Sequence, residues 1–193
     1  MTNPLRILII LGSVREGRMA EPVGNWALEQ AAAHPHIDAE LVDLKEWNLP
    51  FYAFAKPPAA GGYTDPLQLK WAEKIAAADG YVLICPEYNH GPPAVLKNAL
   101  DFVYAEWNRK PCTFVGYGGN GGARAVEILR QVVSNVELAD VRAQVGLSLF
   151  TDFENFTTFK PGPHLEATVN GMLDQVIAWG GALKPLRTTT KSG

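Results

Sequence analysis

No stretch of this chain reaches the roughly 20 consecutive apolar residues that a membrane-spanning helix requires. Neither sign of charge dominates. Against 17 Lys and Arg stand 20 Asp and Glu, a formal net charge of −3 at pH 7, and the basic residues are scattered. That excludes the dense cationic face expected of a nucleic-acid-binding protein and the basic amphipathic helix of a membrane-surface anchor. Cysteine is scarce: Cys85 and Cys112 each sit inside an apolar strand-like run. They read as buried, reduced core thiols, with a disulfide or redox pair as the lesser alternative. The opening Met1-Thr2-Asn3-Pro4 passes straight into an apolar run. It has no charged start, long apolar stretch and small-residue cleavage site of a secretory signal. The expectation is a cytoplasmic protein that has neither nucleic acid nor membrane as a partner.

What the chain does have is apolar residues, 47% of 193. That suffices for one well-buried domain, whereas two domains would each have an undersized core. A single domain over residues 1–187 is expected, with a frayed tail at 188–193. Apolar runs at residues 5–11, 39–44, 81–85, 112–117 and 145–150 alternate with helical-period segments at 20–33, 66–78, 93–104, 122–136 and 165–183. Runs such as Ile7-Leu8-Ile9-Ile10-Leu11 and Tyr81-Val82-Leu83-Ile84-Cys85 are apolar on both faces, so they need cover on both sides. Leu67, Trp71, Ile75 and Ala78 recur at helical spacing, as do Val126, Leu129, Val132 and Val133. Asp65-Pro66 and Pro92-Pro93 suit helix starts. Five βα units predict an α/β fold of three layers, a five-stranded parallel sheet of order 2-1-3-4-5 in the flavodoxin-like arrangement. Its ligand sits at the carboxyl ends of the strands beside the switch point, so the loops after strands one, three and four should carry the chemistry.

The first of these loops is Gly12-Ser13-Val14-Arg15-Glu16-Gly17-Arg18-Met19-Ala20. A helix start offers free N–H groups to a phosphate, Ser13 adds a hydroxyl, Arg15 a charge, and Gly17 close backbone approach. The spacing nearly mimics a P-loop, but Arg18-Met19 replaces the Lys-Ser/Thr pair that holds a triphosphate and magnesium, so a monophosphate suits it better. An ordinary strand–helix turn with a surface arginine is an equal alternative. The second loop, Pro86-Glu87-Tyr88-Asn89-His90-Gly91-Pro92-Pro93, is stiffened by proline at both ends and suits a ledge for a flat ring. Gly91 is expected to supply its sharp turn, and the amides from Tyr88 onward can face ring heteroatoms. It also reads as a plain turn with a structural His90.

The third loop runs from Gly116-Tyr117-Gly118-Gly119 to Gly121-Gly122-Ala123-Arg124. It satisfies G-x-G-x-x-G but falls in the fourth βα unit, and the acid about twenty residues on, Asp140, is expected to precede its strand. A Rossmann dinucleotide site is rejected on those grounds. A bare glycine loop that admits a flat ligand is the better account, with Arg124 either meeting a phosphate or solvated.

Taken together, these loops resemble the NADPH-dependent FMN reductase family. The resemblance spans nearly the whole chain, and its most specific part is Pro86-Glu87-Tyr88-Asn89-x-Gly91 running into Leu96-Lys97-Asn98-Ala99-Leu100-Asp101. It implies that Ser13, Arg15 and the amides of Arg18, Met19 and Ala20 hold the FMN phosphate. Pro86, Glu87, Tyr88, Asn89 and His90 would line the isoalloxazine and ribityl portions, with Tyr117, Gly118 and Gly119 as the opposite wall. Many relatives carry Ser and Asn where this chain has Arg18 and Ala20, so a side-chain contact from position 20 is excluded and Arg18 is left to supply charge instead. The resemblance further implies hydride transfer from NADPH to FMN, then reduction of a small-molecule acceptor: free flavin, quinone, azo or nitro compound, or metal ion. No catalytic acid, nucleophile or metal ligand is nominated. It also implies a homodimer or homotetramer, for which Trp47, Phe51, Tyr52, Phe54 and the 102–107 segment offer apolar surface. An FMN-binding electron carrier without NADPH turnover is the rival reading, although the hydroxyl-rich phosphate loop of flavodoxins is missing. A phosphatase would need the Cys-x₅-Arg loop, which is also missing.

Overall fold

The computed structural model describes residues 3–188. Its four long strands are β1 (Leu5–Leu11), β2 (Ile37–Asp43), β3 (Gly80–Pro86) and β4 (Lys110–Gly118), all parallel and ordered β2-β1-β3-β4. Two short segments, β5 (Leu138–Asp140) and β6 (Val145–Ser148), complete the edge beside β4. A two-stranded antiparallel ribbon, β7 (Phe153–Glu154) and β8 (Thr158–Phe159), follows. The helices are α1 (Ala20–Ala32), α2 (Leu44–Trp47), α3 (Pro66–Ala76), α4 (Ala94–Asp101), α5 (Ala123–Asn135) and α6 (Glu166–Thr188).

Side chains alternate across each strand, so the sheet has two apolar faces. On one, Ile7, Ile9, Leu11, Val82, Ile84 and Val115 pack under α1 and α6 through Val23, Ala27, Val169, Met172 and Val176. On the other, Leu8, Ile10, Leu83, Cys85, Cys112 and Phe114 meet α3, α4 and α5 through Trp71, Ile75, Leu96, Val126, Leu129 and Val133. This is the three-layer flavodoxin-like architecture expected from the alternating runs. Both cysteines are free and buried, and burial holds both thiols above their ordinary range. Buried indole donors are satisfied, Trp71 Nε1 by the Ala99 carbonyl at 3.0 Å and Trp107 Nε1 by that of Leu100 at 3.1 Å. At the opposite end of the sheet from the three loops, the buried Lys110 ammonium donates to the Ile75 and Ala76 carbonyls at 2.7 and 3.1 Å. Burial pushes this amine down to about 7.

The departures from the sequence reading are local. The second strand runs over Ile37–Asp43 rather than 39–44, because Asp43 caps α2 by accepting from the Lys45 amide at 2.9 Å. The fifth strand is split. Between β5 and β6 the chain leaves the ladder, and there Thr113 donates to the Ala143 carbonyl at 2.8 Å while Gln175 accepts from the Ala143 amide at 3.0 Å. Asp140 therefore ends a short strand instead of preceding one. It lies opposite Cys112, well short of the sheet's carboxyl edge, and pairs with Arg130, so it offers nothing to a dinucleotide at the glycine loop. Helix α4 stops at Asp101 rather than at 104, and Gln68 Nε2 takes the Phe102 carbonyl at 2.8 Å. Helix α6 extends through Thr188, one residue into the expected tail, and the rest of that tail, 189–193, lies outside the described residues. No helix among the described residues is long and apolar enough to cross a membrane.

Candidate functional site

The loops after β1, β3 and β4 converge at the carboxyl edge of the sheet, because these are adjacent parallel strands. Gly12 opens the first loop hard against β3. Its amide donates to the Ile84 carbonyl at 2.9 Å, and a Cβ there would lie 2.4 Å from that oxygen. Gly17 has φ +62° with nothing within 4 Å of a Cβ, so it serves backbone conformation rather than packing. Met19 occupies the N-cap of α1, and no side chain caps that helix. Uncapped N–H groups and the positive dipole end favour an anion. Ala20 is fully buried and presents only backbone.

The side chains of this loop divide by role. Ser13 is buried, with its hydroxyl 2.8 Å from that of Tyr88, which joins the first loop to the second. Arg15 is exposed and makes no ion pair among the described residues. Arg18 is the opposite case: its guanidinium is buried and bound to Asp43, so it is not free to supply charge outward. Its amide donates to the Arg15 carbonyl at 3.3 Å, closing the turn.

In the second loop Pro86 ends β3 and is buried. Tyr88 and Gly91 exchange two backbone bonds of 3.0 Å, with Asn89 at φ +48° and His90 at φ +67°. The sharp turn is thus made by Asn89-His90, the pair of left-handed residues that a two-residue hairpin turn demands, and not by Gly91. The Tyr88 and Gly91 amides are consumed by each other, leaving those of Asn89 and His90 at the exposed tip. The Glu87 carboxylate accepts from Arg124, at 2.6 Å from the guanidinium and 3.1 Å from the amide. Burial pushes this carboxyl up, but the bonds from Arg124 outweigh it and hold the group below the usual carboxylate range. Arg124 is therefore committed to Glu87 and not free for a phosphate, although its side chain stays 47% exposed. It locks the second loop to the start of α5.

In the third loop, Gly118 accepts from the Gly121 and Leu149 amides at 3.2 and 3.0 Å, and the Gly119 backbone is exposed. Tyr117 is 6% exposed, yet its hydroxyl has no hydrogen-bond partner among the described residues. It lies within electrostatic reach of Tyr88, Arg15 and Arg18. A buried hydroxyl without a partner is uncommon, and a bound polar ligand or water would supply what it lacks.

Several contributors escaped the sequence reading. Phe150 is 71% exposed beside Gly119 and stacks edge-on against the exposed Phe156 at 5.6 Å. Asn98, within the most specific motif, reaches back to the 49–52 segment, accepting from the Tyr52 amide and donating to the Pro50 carbonyl at 2.9 Å each. That segment walls a cleft of about 430 Å³ between the first loop, α2 and the start of α4, with Arg15, Lys45, Phe51 and Tyr88 on its lining. Of the apolar interface candidates, Phe102, Val103 and Trp107 are core. Phe51 and Phe54 are exposed, and Trp47 and Tyr52 are half-buried against the core.

The residues present fit FMN. An uncapped helix start, a buried serine and an unpaired arginine suit a monophosphate, and the bare glycine backbone facing a rigid proline-flanked loop suits a flat ring.

Comparison with known proteins agrees. The family described as NADPH-dependent FMN reductase matches residues 5–152. An NAD(P)H-dependent FMN reductase of Schizosaccharomyces pombe is 39% identical over 149 residues, covering 76% of this chain and 74% of the relative. A quinone reductase of Escherichia coli is 31% identical over 139 residues, covering 69% and 71%. Among solved structures, the flavoenzyme NAD(P)H:(acceptor) oxidoreductase FerB of Paracoccus denitrificans superposes with a TM-score of 0.72 over 93% of this chain and 98% of its own. At 19% identity that likeness concerns the fold alone. This chain belongs to the NADPH-dependent FMN reductase family.

Proposed function

We propose that this protein takes hydride from NADPH onto FMN held at the carboxyl edge of β1, β3 and β4, and delivers two electrons to a small planar acceptor, a quinone or a free flavin. The observation that carries this reading is the donor set of the first loop: the uncapped start of α1, the Ser13 hydroxyl and the unpaired Arg15. FMN, when bound, supplies a ring that accepts hydride and releases electrons, chemistry that no side chain provides.

The protein's own contribution is binding and orientation. Arg15, Ser13 and the amides of Met19 and Ala20 hold the phosphate. The Tyr88–Gly91 hairpin, fixed by its own two backbone bonds and by the Glu87–Arg124 pair, presents the Asn89 and His90 amides to the ring. With FMN bound, donors fixed in advance there would stabilise negative charge on its ring without reorganising. Gly118 and Gly119 let the opposite wall approach closely, and Phe150 and Phe156 screen the mouth from water. The likeness to a quinone reductase supports a quinone as acceptor. The exposed Phe51, Phe150 and Phe156 support a homodimer whose contact surface rims the site. A reducing compartment, the cytoplasm, suits two thiols kept as thiols.

Steady-state kinetics test this. With NADPH and a quinone varied together, double-reciprocal plots should give parallel lines, since one substrate leaves before the other binds. Intersecting lines would remove the two-stage scheme. A bound flavin that NADPH cannot reduce would leave an electron carrier.

A further inference from the structure

Arg18 carries a charge in the first loop, yet its side chain is only 7% exposed and turned away from solvent. Its guanidinium donates to both carboxylate oxygens of Asp43, at the end of β2, one of these bonds measuring 2.7 Å. The nitrogen that makes this bond also donates to the Ser13 carbonyl at 2.5 Å. Glu21, in the first turn of α1, lies 3.7 Å from the same guanidinium. Asp43 in turn caps α2 through the Lys45 amide. One buried arginine thus ties together the Ser13 peptide, the end of β2 and, through Asp43, the start of α2. A bidentate arginine–carboxylate pair fixes direction as well as distance. Burial pushes the Asp43 carboxyl up, but the Arg18 bond, the Lys45 amide and the two positive charges together outweigh it and hold the carboxyl below its usual range.

We infer that Arg18 and Asp43 form a positioning pair for the phosphate subsite, acting on a bound phosphate through the Ser13 peptide whose carbonyl Arg18 holds. This rests on the reading of the first loop as that subsite. Two arguments favour positioning over direct contact. If Arg18 swung out to a ligand, Asp43 would remain as a largely buried, unpaired carboxylate beside a dianion, where it is costly. Meanwhile Arg15, exposed and without an ion pair, already offers a cation at the loop's outer face. Without Arg18, the Ser13 carbonyl would lose the bond that sets its peptide plane.

The test compares binding of FMN and of riboflavin, which lacks the phosphate, by quenching of flavin fluorescence on the full chain, alongside melting temperature. Arg18→Met should weaken FMN by roughly tenfold or more and leave riboflavin nearly unchanged. Arg18→Lys, keeping charge but not the bidentate geometry, should fall between it and the parent. Asp43→Asn supplies the sign. A positioning pair requires FMN to bind more weakly in this variant, whereas a direct phosphate ligand released from its carboxylate would bind FMN as well as the parent or better. Unchanged or tighter FMN binding in Asp43→Asn overturns the inference, as do equal losses for FMN and riboflavin. Should Asp43→Asn fail to fold, Asp43→Glu, which keeps the charge but displaces the pair by one methylene, takes its place: a positioning pair requires weaker FMN binding, and FMN binding equal to the parent's overturns the inference. If the parent itself binds riboflavin and FMN alike and Arg15→Met changes neither, the phosphate subsite has been misread and the inference falls with it.

Discussion

Gly12→Ala probes how tightly the phosphate loop is seated on β3. The added methyl would sit 2.4 Å from the Ile84 carbonyl oxygen and 2.9 Å from Leu96 Cδ2. The first of these is backbone in a central strand and cannot move aside. It is also the acceptor of the Gly12 amide at 2.9 Å, so relieving the clash costs that bond. Overpacking of this kind costs about 1–3 kcal/mol, and a lost backbone bond adds about 1 kcal/mol. A total of roughly 2–4 kcal/mol should lower Tm by about 4–16 °C in a domain of this size. Gly17→Ala is the control, since φ is +62° and there is space around it. Its cost is conformational only, about 1–2 kcal/mol. Gly119→Ala meets only Phe150, at 3.8 Å, and should be near neutral. Urea unfolding at constant m should rank destabilisation as Gly12, then Gly17, then Gly119. Gly12→Ala should also weaken FMN binding more than tenfold, since it displaces Ser13 as well. A Gly12→Ala protein as stable as the parent would refute the seating of this loop.

Further expectations concern buried groups. Because the Lys110 amine is held near 7 when folded, below its ordinary value, the unfolded chain binds the extra proton between about 7 and 10.4. Stability of the parent relative to Lys110→Met should therefore rise with pH through that window, as read by denaturant midpoints, and a flat difference would count against it. Cys85 and Cys112, buried with raised thiol values, should react with a thiol reagent only at the rate of unfolding; fast modification of the native protein would contradict their placement. Glu87 is held as a carboxylate by Arg124, so its contribution is present at neutral pH and lost as pH falls through its folded value. Glu87→Gln should remove that acid-dependent part and raise the KM for NADPH or acceptor by loosening the hairpin, an effect absent if the Glu87–Arg124 lock is unimportant.

The sheet was legible because strands buried on both faces read as unbroken apolar runs, and β1 falls on the residues its run marks. Positions of the three loops followed from strand order, and their residue types from the needs of a phosphate and a flat ring. What could not be read depends on partners remote in sequence. The commitment of Arg18 to Asp43, 25 residues away, and of Arg124 to Glu87, 37 residues away, leaves no trace in local pattern. The split of the edge strand rests on Thr113 and Gln175, which take up the backbone groups freed between β5 and β6. Phe102 and Trp107 read as apolar surface for an interface, yet both are buried, with Trp107 packed on Tyr81 and Trp71 inside the core. The role of Asn98 in fixing the cleft wall was hidden for the same reason: its partners are nearly fifty residues away.

The most direct test of the account is an anaerobic titration of the FMN-loaded protein with NADPH, following the visible absorption of the flavin. Rapid bleaching at about one equivalent, reversed by a quinone, is the predicted result. A tightly bound flavin that stays yellow under excess NADPH would contradict it.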